Sequence, residues 1–247
     1  MKKIADEFAV AAQVFDMFTP ALADDDPLLT AIRKRVDKGS TIVDFGVGTG
    51  RIALPLQASG YTLIGIDISP DMLTKLRAKP GAEQMRIIEG SFADRYDIAA
   101  GSASAIVCVF HSLYHTHDAE LQRATLQRAS EYLRPGGLMF LDNPAAHDIV
   151  RRTPERDRVT VQMIAGDRVV LSAGIVDPVR QSLLVNHVVM TAQGNRLNPF
   201  TYRYIWPSEL RLMAELVGLE VIEETGDWSG TPFGTGSREH CVVLRKK

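Results

Sequence analysis

The apolar rhythm of the chain changes part-way along. Over the first two thirds, short runs of β-branched and aliphatic residues alternate with stretches of helical periodicity. The strand-like runs are TIVDFG (41–46), YTLIGIDIS (61–69), MRIIEGS (85–91), ASAIVCVF (103–110) and LMFLDNP (138–144). The run at 103–110 is apolar throughout, as in a central parallel strand buried on both faces. A helix is predicted over about 50–59, stopped by Gly60. Another is predicted over 69–79, with Ser69 as N-cap and Pro70 at its first position. A third, at 118–133, places Leu121, Thr125 or Leu126, Ala129 and Tyr132–Leu133 on one face, and RPGG ends it.

After about residue 150 the pattern becomes strand after strand: RVTVQMI, RVVLSAGIVD, QSLLVNHVVMTA and TYRYIW, with no helix between them. A helix over 207–218, capped by Ser208, and two closing strands, LEVIEETG and HCVVLRK, complete the chain. The expectation is a doubly wound α/β fold with a Rossmann-like, mostly parallel seven-stranded sheet. An antiparallel β-rich insertion interrupts it at about 150–203.

Composition narrows the function. The 247 residues fit one large domain, or one domain with an appendage, and 45% apolar residues suffice for a full core. A net charge of −2 without long charge runs argues against a dedicated nucleic-acid binder. Cys108 and Cys241 form neither a disulfide framework nor a zinc pattern, which fits a reducing cytoplasm. In MKKIADEFAVAAQVFDMF, Asp6, Glu7 and Asp16 interrupt the apolar stretch, so it reads as an amphipathic helix rather than a signal peptide. No stretch is long and apolar enough to span a membrane. A cytoplasmic, globular protein with a small-molecule substrate is expected, binding neither nucleic acid nor membrane.

The chemistry centres on DFGVGTG, Asp44 to Gly50, where Gly46, Gly48 and Gly50 alternate between the first strand and the next helix. Such a loop lies at the carboxyl end of the sheet, where open α/β folds bind ligands, and its glycines let a ligand touch the backbone. The dinucleotide pattern G-x-G-x-x-G fails, because the sixth position counted from Gly46 is Arg51. The motif resembles instead the first motif of class I S-adenosylmethionine-dependent methyltransferases, in which a second acid ends the next strand. Asp67 in GIDIS supplies that acid. A carboxylate is an acceptor-only group, suited to the paired hydroxyls of a ribose; a turn or cap role before Ser69-Pro70 is the alternative.

The resemblance covers about 36–145 and 204–247 and implies a set of cofactor contacts. Asp44, the three glycines and Arg51 would hold the methionine end, and Asp67 the ribose. Ser91 and Phe92, in EGSFAD, would meet the adenine, with Ile68 and Met72 on its other side. The cofactor would leave as S-adenosylhomocysteine, and no metal is implied. The loop CVFHSLYHTHD, with Phe110 and His111, would border the sulfonium end and the acceptor. Phe110-x-Ser112-x-x-His115 is similar to small-molecule N-methyltransferases, which makes His115 a general base or an acceptor-orienting residue and gives Tyr114 a lesser claim.

Related enzymes carry a gating helix at the N-terminus, which puts Phe15-Asp16 over the cofactor within a gate at 1–35. The core would then span 1–149 and 204–247, and 150–203 would form a lid, a substrate-binding element or a homodimer surface. Tyr202, Tyr204 and Trp206 alternate and share one strand face, so they are candidates for an acceptor pocket, as are Trp228 and Phe233. The expected reaction is methylation of an amine. Oxygen methylation, or another reaction of a cofactor-binding fold such as cyclisation, is the alternative. A nicotinamide-dependent reductase is disfavoured by the missing third glycine and by the lack of a Tyr-x-x-x-Lys pair.

Overall fold

A computed structural model describes residues 8, 12, 15, 16 and 19 and the stretches 21–151 and 158–247. Most of the N-terminal amphipathic segment, and the start of the insertion, lie outside the described residues. Helix α1 (Pro27–Arg33) leads into β1 (Thr41–Phe45), α2 (Ala53–Ala58), β2 (Thr62–Asp67) and α3 (Pro70–Arg77). Strands β3 (Arg86–Glu89) and β4 (Ala103–Cys108), helix α4 (Ala119–Tyr132) and β5 (Leu133–Pro144) follow. A short helix, α5 (Ala146–Arg151), precedes four consecutive strands: β6 (Arg158–Ala165), β7 (Arg168–Asp177), β8 (Ser182–Thr191) and β9 (Gly194–Arg203). Helix α6 (Pro207–Leu216) and strands β10 (Leu219–Thr225) and β11 (Glu239–Lys246) close the chain.

Two sheets result. The seven-stranded sheet has the order β10-β11-β5-β4-β1-β2-β3, with β11 antiparallel to both neighbours and the other pairings parallel. The second sheet is β6-β7-β8-β9, antiparallel throughout. The predicted mixed α/β architecture is therefore present. Successive residues of a strand point to opposite faces, so the central strands feed two cores. Ile42, Leu63, Ala105 and Val107 pack on one side, and Val43, Phe45, Ile66 and Ile106 on the other. Burying each such side chain contributes about 1.5–3 kcal/mol, which explains why these strands carry almost no polar residue before their carboxyl ends.

Three local departures have physical causes. Gly50 has φ +84, which a right-handed helix cannot include, so α2 starts at Ala53 rather than near residue 50. Strand β9 begins at Gly194 although Gly, Asn and Pro read as loop. As an edge strand it tolerates Pro199, which has no N–H to offer a neighbour. Helix α5 is a single short turn pair that periodicity did not reveal.

The small sheet is fastened at its root. Arg203 donates to Gln122 Oε1 of α4 at 2.7 Å and to Glu209 Oε1 of α6 at 2.6 Å. Gln181 reaches the other Glu209 oxygen at 2.7 Å. No described helix is long and apolar enough to cross a membrane.

Candidate active site

A cavity of about 940 Å³ opens at the carboxyl ends of β1, β2 and β4 and is roofed by the inner face of β6–β9. Of the residues predicted for a cofactor, its wall includes Gly46, Gly48, Asp67, Ile68, Met72, Ser91, Phe92 and Phe110. Asp44, Gly50 and Arg51 are not on the wall.

The three alternating glycines answer to three different neighbours. A Cβ on Gly46 would sit 2.5 Å from Ser112 Oγ, so this glycine lets the loop after β4 close over β1. A Cβ on Gly50 would meet Leu76 Cδ1 at 2.5 Å and Leu54 at 2.9 Å, so it serves helix packing. Gly48 is different: a Cβ there would find only the Gly46 carbonyl, at 3.9 Å, and would project from the cavity wall. All three have positive φ. The loop thus offers bare backbone at Gly48, a place where a ligand, not the protein, fills the space. Gly65 on β2 makes room for the same loop, since a Cβ there would strike Val47 at 2.8 Å.

Asp67 ends β2 and is buried. One carboxylate oxygen accepts from Gly48 N–H at 2.7 Å and the other from Ser69 N–H at 2.9 Å. The turn role and the cavity-wall position therefore coexist, because a carboxylate has about four lone-pair sites and the backbone donors do not use them all. Burial raises the Asp67 pKa to about 6, against the pull of these backbone donors. Asp44 lies deeper; burial, and then the neighbouring Asp67, raise its pKa to about 7. Beside them, Phe92 stacks on Phe45 with ring planes 7° apart and centroids at 5.6 Å, and Ser91 Oγ accepts from Ala93 N–H. Phe92, Ile68 and Met72 give an apolar slot next to an acceptor-only carboxylate and a bare glycine backbone. That donor and acceptor set fits an adenosine with a charged amino-acid tail.

The loop after β4 is strained. Phe110 and His111 have φ +58 and +68, unusual for residues with a Cβ; each costs roughly 1–3 kcal/mol and persists only where its surroundings enforce it. Asp142, at the carboxyl end of β5, supplies the enforcement. Its Oδ1 accepts from Phe110 N–H at 2.6 Å, and its Oδ2 accepts from the Trp228 indole at 2.7 Å. The Phe110 and His111 rings stack, 3° apart in plane, and His111 Nε2 lies 3.7 Å from Glu239 Oε2. Arg51 sits over the Phe110 ring at 4.6 Å. Arg51 thus reaches the site through Phe110 instead of lining it. Asp142 was missed from sequence; its signal is the one that found Asp67, an acid at the end of an apolar strand.

His115 lies on the cavity wall within an aromatic enclosure. Its ring centroid is 4.7 Å from Phe8, 4.5 Å from Tyr202 and 5.5 Å from Phe200. Its Nδ1 is buried with no hydrogen-bond partner. Burial, aided by His111 and His117, lowers its pKa to about 3, so the ring is neutral over the ordinary pH range. Tyr114 also borders the cavity, but its hydroxyl bonds to the backbone carbonyls of Pro144 and Ile205, each at 3.2 Å, and burial pushes its pKa far up. That geometry is a clamp between β5 and the segment after the small sheet, and it replaces the reactive role considered for Tyr114.

Four of the five aromatics expected to face the acceptor do not. β9 ends at Arg203, so the strand alternation of Tyr202, Tyr204 and Trp206 stops there. Tyr202 lines the cavity, Tyr204 turns into the core with no exposure, and Trp206 faces solvent at the start of α6. Trp228 holds Asp142, and Phe233 packs on His240 at 4.3 Å; neither is on the wall. At the N-terminus, Phe15 lines the cavity and meets Phe110 edge-on at 6.2 Å. Asp16 accepts from Thr49 Oγ1 at 2.5 Å and pairs with Lys79 Nζ at 3.1 Å, pinning Phe15 to the glycine loop.

Comparison with known proteins agrees with this geometry. A family model described as a methyltransferase domain matches residues 42–137, which contain the glycine loop, Asp67 and the histidine loop. The chain is 28% identical to the cypemycin N-terminal methyltransferase of a Streptomyces species, over 99% of this chain and 98% of that protein. The CcbJ methyltransferase of Streptomyces caelestis superposes with a TM-score of 0.86 at 28% identity, covering 98% and 97% of the two chains. A structure of an amino pentose methyltransferase from Micromonospora echinaspora with S-adenosylmethionine bound shares the fold, with a TM-score of 0.69 at 18% identity over 95% and 96% of the chains. With bare backbone at Gly48, an acid ending β2 and an apolar slot beside it, residues 42–137 form a methyltransferase domain, and the chain as a whole is similar to S-adenosylmethionine-dependent methyltransferases.

Proposed function

We propose that this enzyme methylates an amine nitrogen of a small-molecule acceptor held between the glycine loop and the β6–β9 sheet. The observation that carries the reading is His115: a neutral imidazole with an unpartnered Nδ1 on the wall of the cavity that also contains Gly48 and Asp67. S-adenosylmethionine supplies an electrophilic sulfonium methyl group. Gly48 leaves backbone open to its methionine end, Asp67 accepts from the ribose hydroxyls, and Ser91 and Phe92 with Ile68 and Met72 receive the adenine. Phe110, His111 and Phe15 cover the reactive end.

Methyl transfer needs a neutral nucleophile in line with the electrophile more than it needs a strong base. An imidazole of such low basicity orients an amine by one hydrogen bond and leaves the amine's lone pair free. The aromatic enclosure around His115 excludes competing water. The name of one relative, an N-terminal methyltransferase, supports nitrogen as the accepting atom. The outward face of the small sheet exposes Val159, Val161, Ile175, Leu184 and Leu197, which supports this sheet as a homodimer surface as well as a lid.

The test is transfer of labelled methyl to matched amines and alcohols, with S-adenosylhomocysteine release as the second readout. Transfer to amines alone supports the reading; transfer to alcohols alone moves the chemistry to oxygen. Titration with S-adenosylmethionine, saturable for wild type and lost in Asp67→Ala, checks the cofactor site independently.

A further inference from the structure

The inner face of the small sheet carries a polar pair that neither the cofactor nor His115 uses. His187 on β8 and Asn198 on β9 are direct cross-strand partners, and both line the cavity. Around them the face is apolar: Val185, Val189 and Phe200 are buried neighbours. Asn198 is 5% exposed, and its Oδ1 is buried with no hydrogen-bond partner. A buried amide oxygen left unpaired costs roughly 1–3 kcal/mol in the free protein, so a folded chain keeps one where something else completes it. The Asn198 backbone N–H is already satisfied by Asn186 Oδ1 at 3.0 Å, so the side chain is not needed to hold the strand. Burial lowers the His187 pKa, which favours the neutral ring. Phe200 stands between this pair and His115, with its ring 5.5 Å from His115 and 5.7 Å from His187. The two polar positions therefore lie on either side of one aromatic ring.

We infer that Asn198 and His187 form a second acceptor subsite, which takes a hydrogen-bond donor on the far side of the acceptor from its reactive amine. The inference rests on the proposed amine methylation and adds the substrate class: an amine on a ring-sized apolar spacer that ends in a hydroxyl or N–H. Phe200 and Tyr202 face the spacer, Asn198 Oδ1 accepts from the distal donor, and His187 contributes one ring nitrogen. The discrimination expected from one such buried hydrogen bond is about tenfold in affinity, and more where the unpaired oxygen would otherwise stay buried.

The test uses the full chain saturated with S-adenosylhomocysteine and matched pairs of amines. 4-Hydroxyphenethylamine is compared with 4-methoxyphenethylamine, and trans-4-aminocyclohexanol with its methyl ether, by calorimetric titration. Wild type is expected to bind at least one hydroxyl compound about tenfold more tightly than its ether. Asn198→Leu should abolish that preference, leave S-adenosylhomocysteine affinity unchanged, and match or exceed the wild-type Tm, because it removes a buried unpaired oxygen. His187→Phe, which keeps the ring against Phe200, should weaken the preference without a loss of Tm. Equal binding within both pairs, no binding by any of the four amines, or a preference retained in Asn198→Leu would overturn the subsite. A lowered Tm in Asn198→Leu would also overturn it, by showing that the amide is satisfied within the protein. Failure of the methyltransferase reading looks different: wild type would then not bind S-adenosylhomocysteine at all.

Discussion

The Trp228 indole N–H donates to Asp142 at 2.7 Å, and the other oxygen of the same carboxylate holds the Phe110 backbone at 2.6 Å. A tryptophan in the loop before the last strand thus acts on the strained turn after β4 through one acid. Burial raises the Asp142 pKa while Trp228, His111 and Phe110 oppose that rise, so the ionised form depends on its donors. Trp228→Phe should keep the packing against Phe140, lose the donor, and destabilise the fold by about 1–3 kcal/mol. Because Phe110 and His111 border the cavity, KM should rise by about tenfold with a smaller change in kcat. Urea unfolding and steady-state rates check both; an unchanged KM would confine Trp228 to packing.

The three glycines of the loop make separable predictions. Gly50→Ala places a Cβ against Leu76 and Leu54 at a left-handed φ, and should destabilise by about 3 kcal/mol. Gly48→Ala meets no side chain, so it should lose only about 1 kcal/mol of stability, from its positive φ. Its methyl group enters the cofactor side of the cavity, however, and affinity for S-adenosylmethionine should fall by about tenfold or more. Thermal unfolding and calorimetry on the two variants give opposite rankings if this division holds. Equal affinity losses would mean that the loop moves as one unit.

Asp44 makes stability depend on pH in a definite direction. Its folded pKa of about 7 lies above the ordinary carboxyl value, so between about pH 4 and pH 7 the folded chain keeps a proton that the unfolded chain has lost. Its contribution therefore falls as pH rises through this window and is level above it. Asp44→Asn removes the effect. The variant should gain on wild type by about 3 kcal/mol between pH 5 and pH 8 in urea unfolding. A difference that does not change with pH would mean that Asp44 ionises normally in the folded chain.

What sequence reading reached, and where it stopped, follows from the range of the interactions. Alternating apolar runs make Ile42, Val43 and their neighbours readable as strands because burial on both faces leaves no room for polar residues. The glycine loop and Asp67 are readable because their geometry is local, a turn between one strand and the next helix. Asp142 was invisible because its partners, Phe110 and Trp228, are 32 and 86 residues away. Tyr204 was misread because alternation was extended past Arg203, where the backbone leaves the sheet and Tyr204 N–H bonds to the Gln181 carbonyl. Asn198 and His187 lie on strands whose inward face could have been read from the alternation of Asn198, Phe200 and Tyr202. Only the sheet's position over β1 and β4 makes that face a cavity wall.

His115 and its neighbour Tyr114 give the sharpest kinetic expectations. Burial holds the His115 pKa near 3, so no ionisation of this ring should appear in the rate between pH 5 and pH 9. The rate of methyl transfer should instead rise with pH as the acceptor amine loses its proton. The midpoint of kcat/KM should follow the acceptor, falling when an amine of lower pKa is used. His115→Ala removes the orienting group and should lower kcat/KM by about 10- to 100-fold without displacing that midpoint. Tyr114→Phe removes the clamp to Pro144 and Ile205, and should lower stability by about 1–2 kcal/mol while leaving kcat within about threefold of wild type. A midpoint that stays fixed across acceptors, and vanishes in His115→Ala, would make the imidazole a general base; a collapse of kcat in Tyr114→Phe would return the hydroxyl to the reaction.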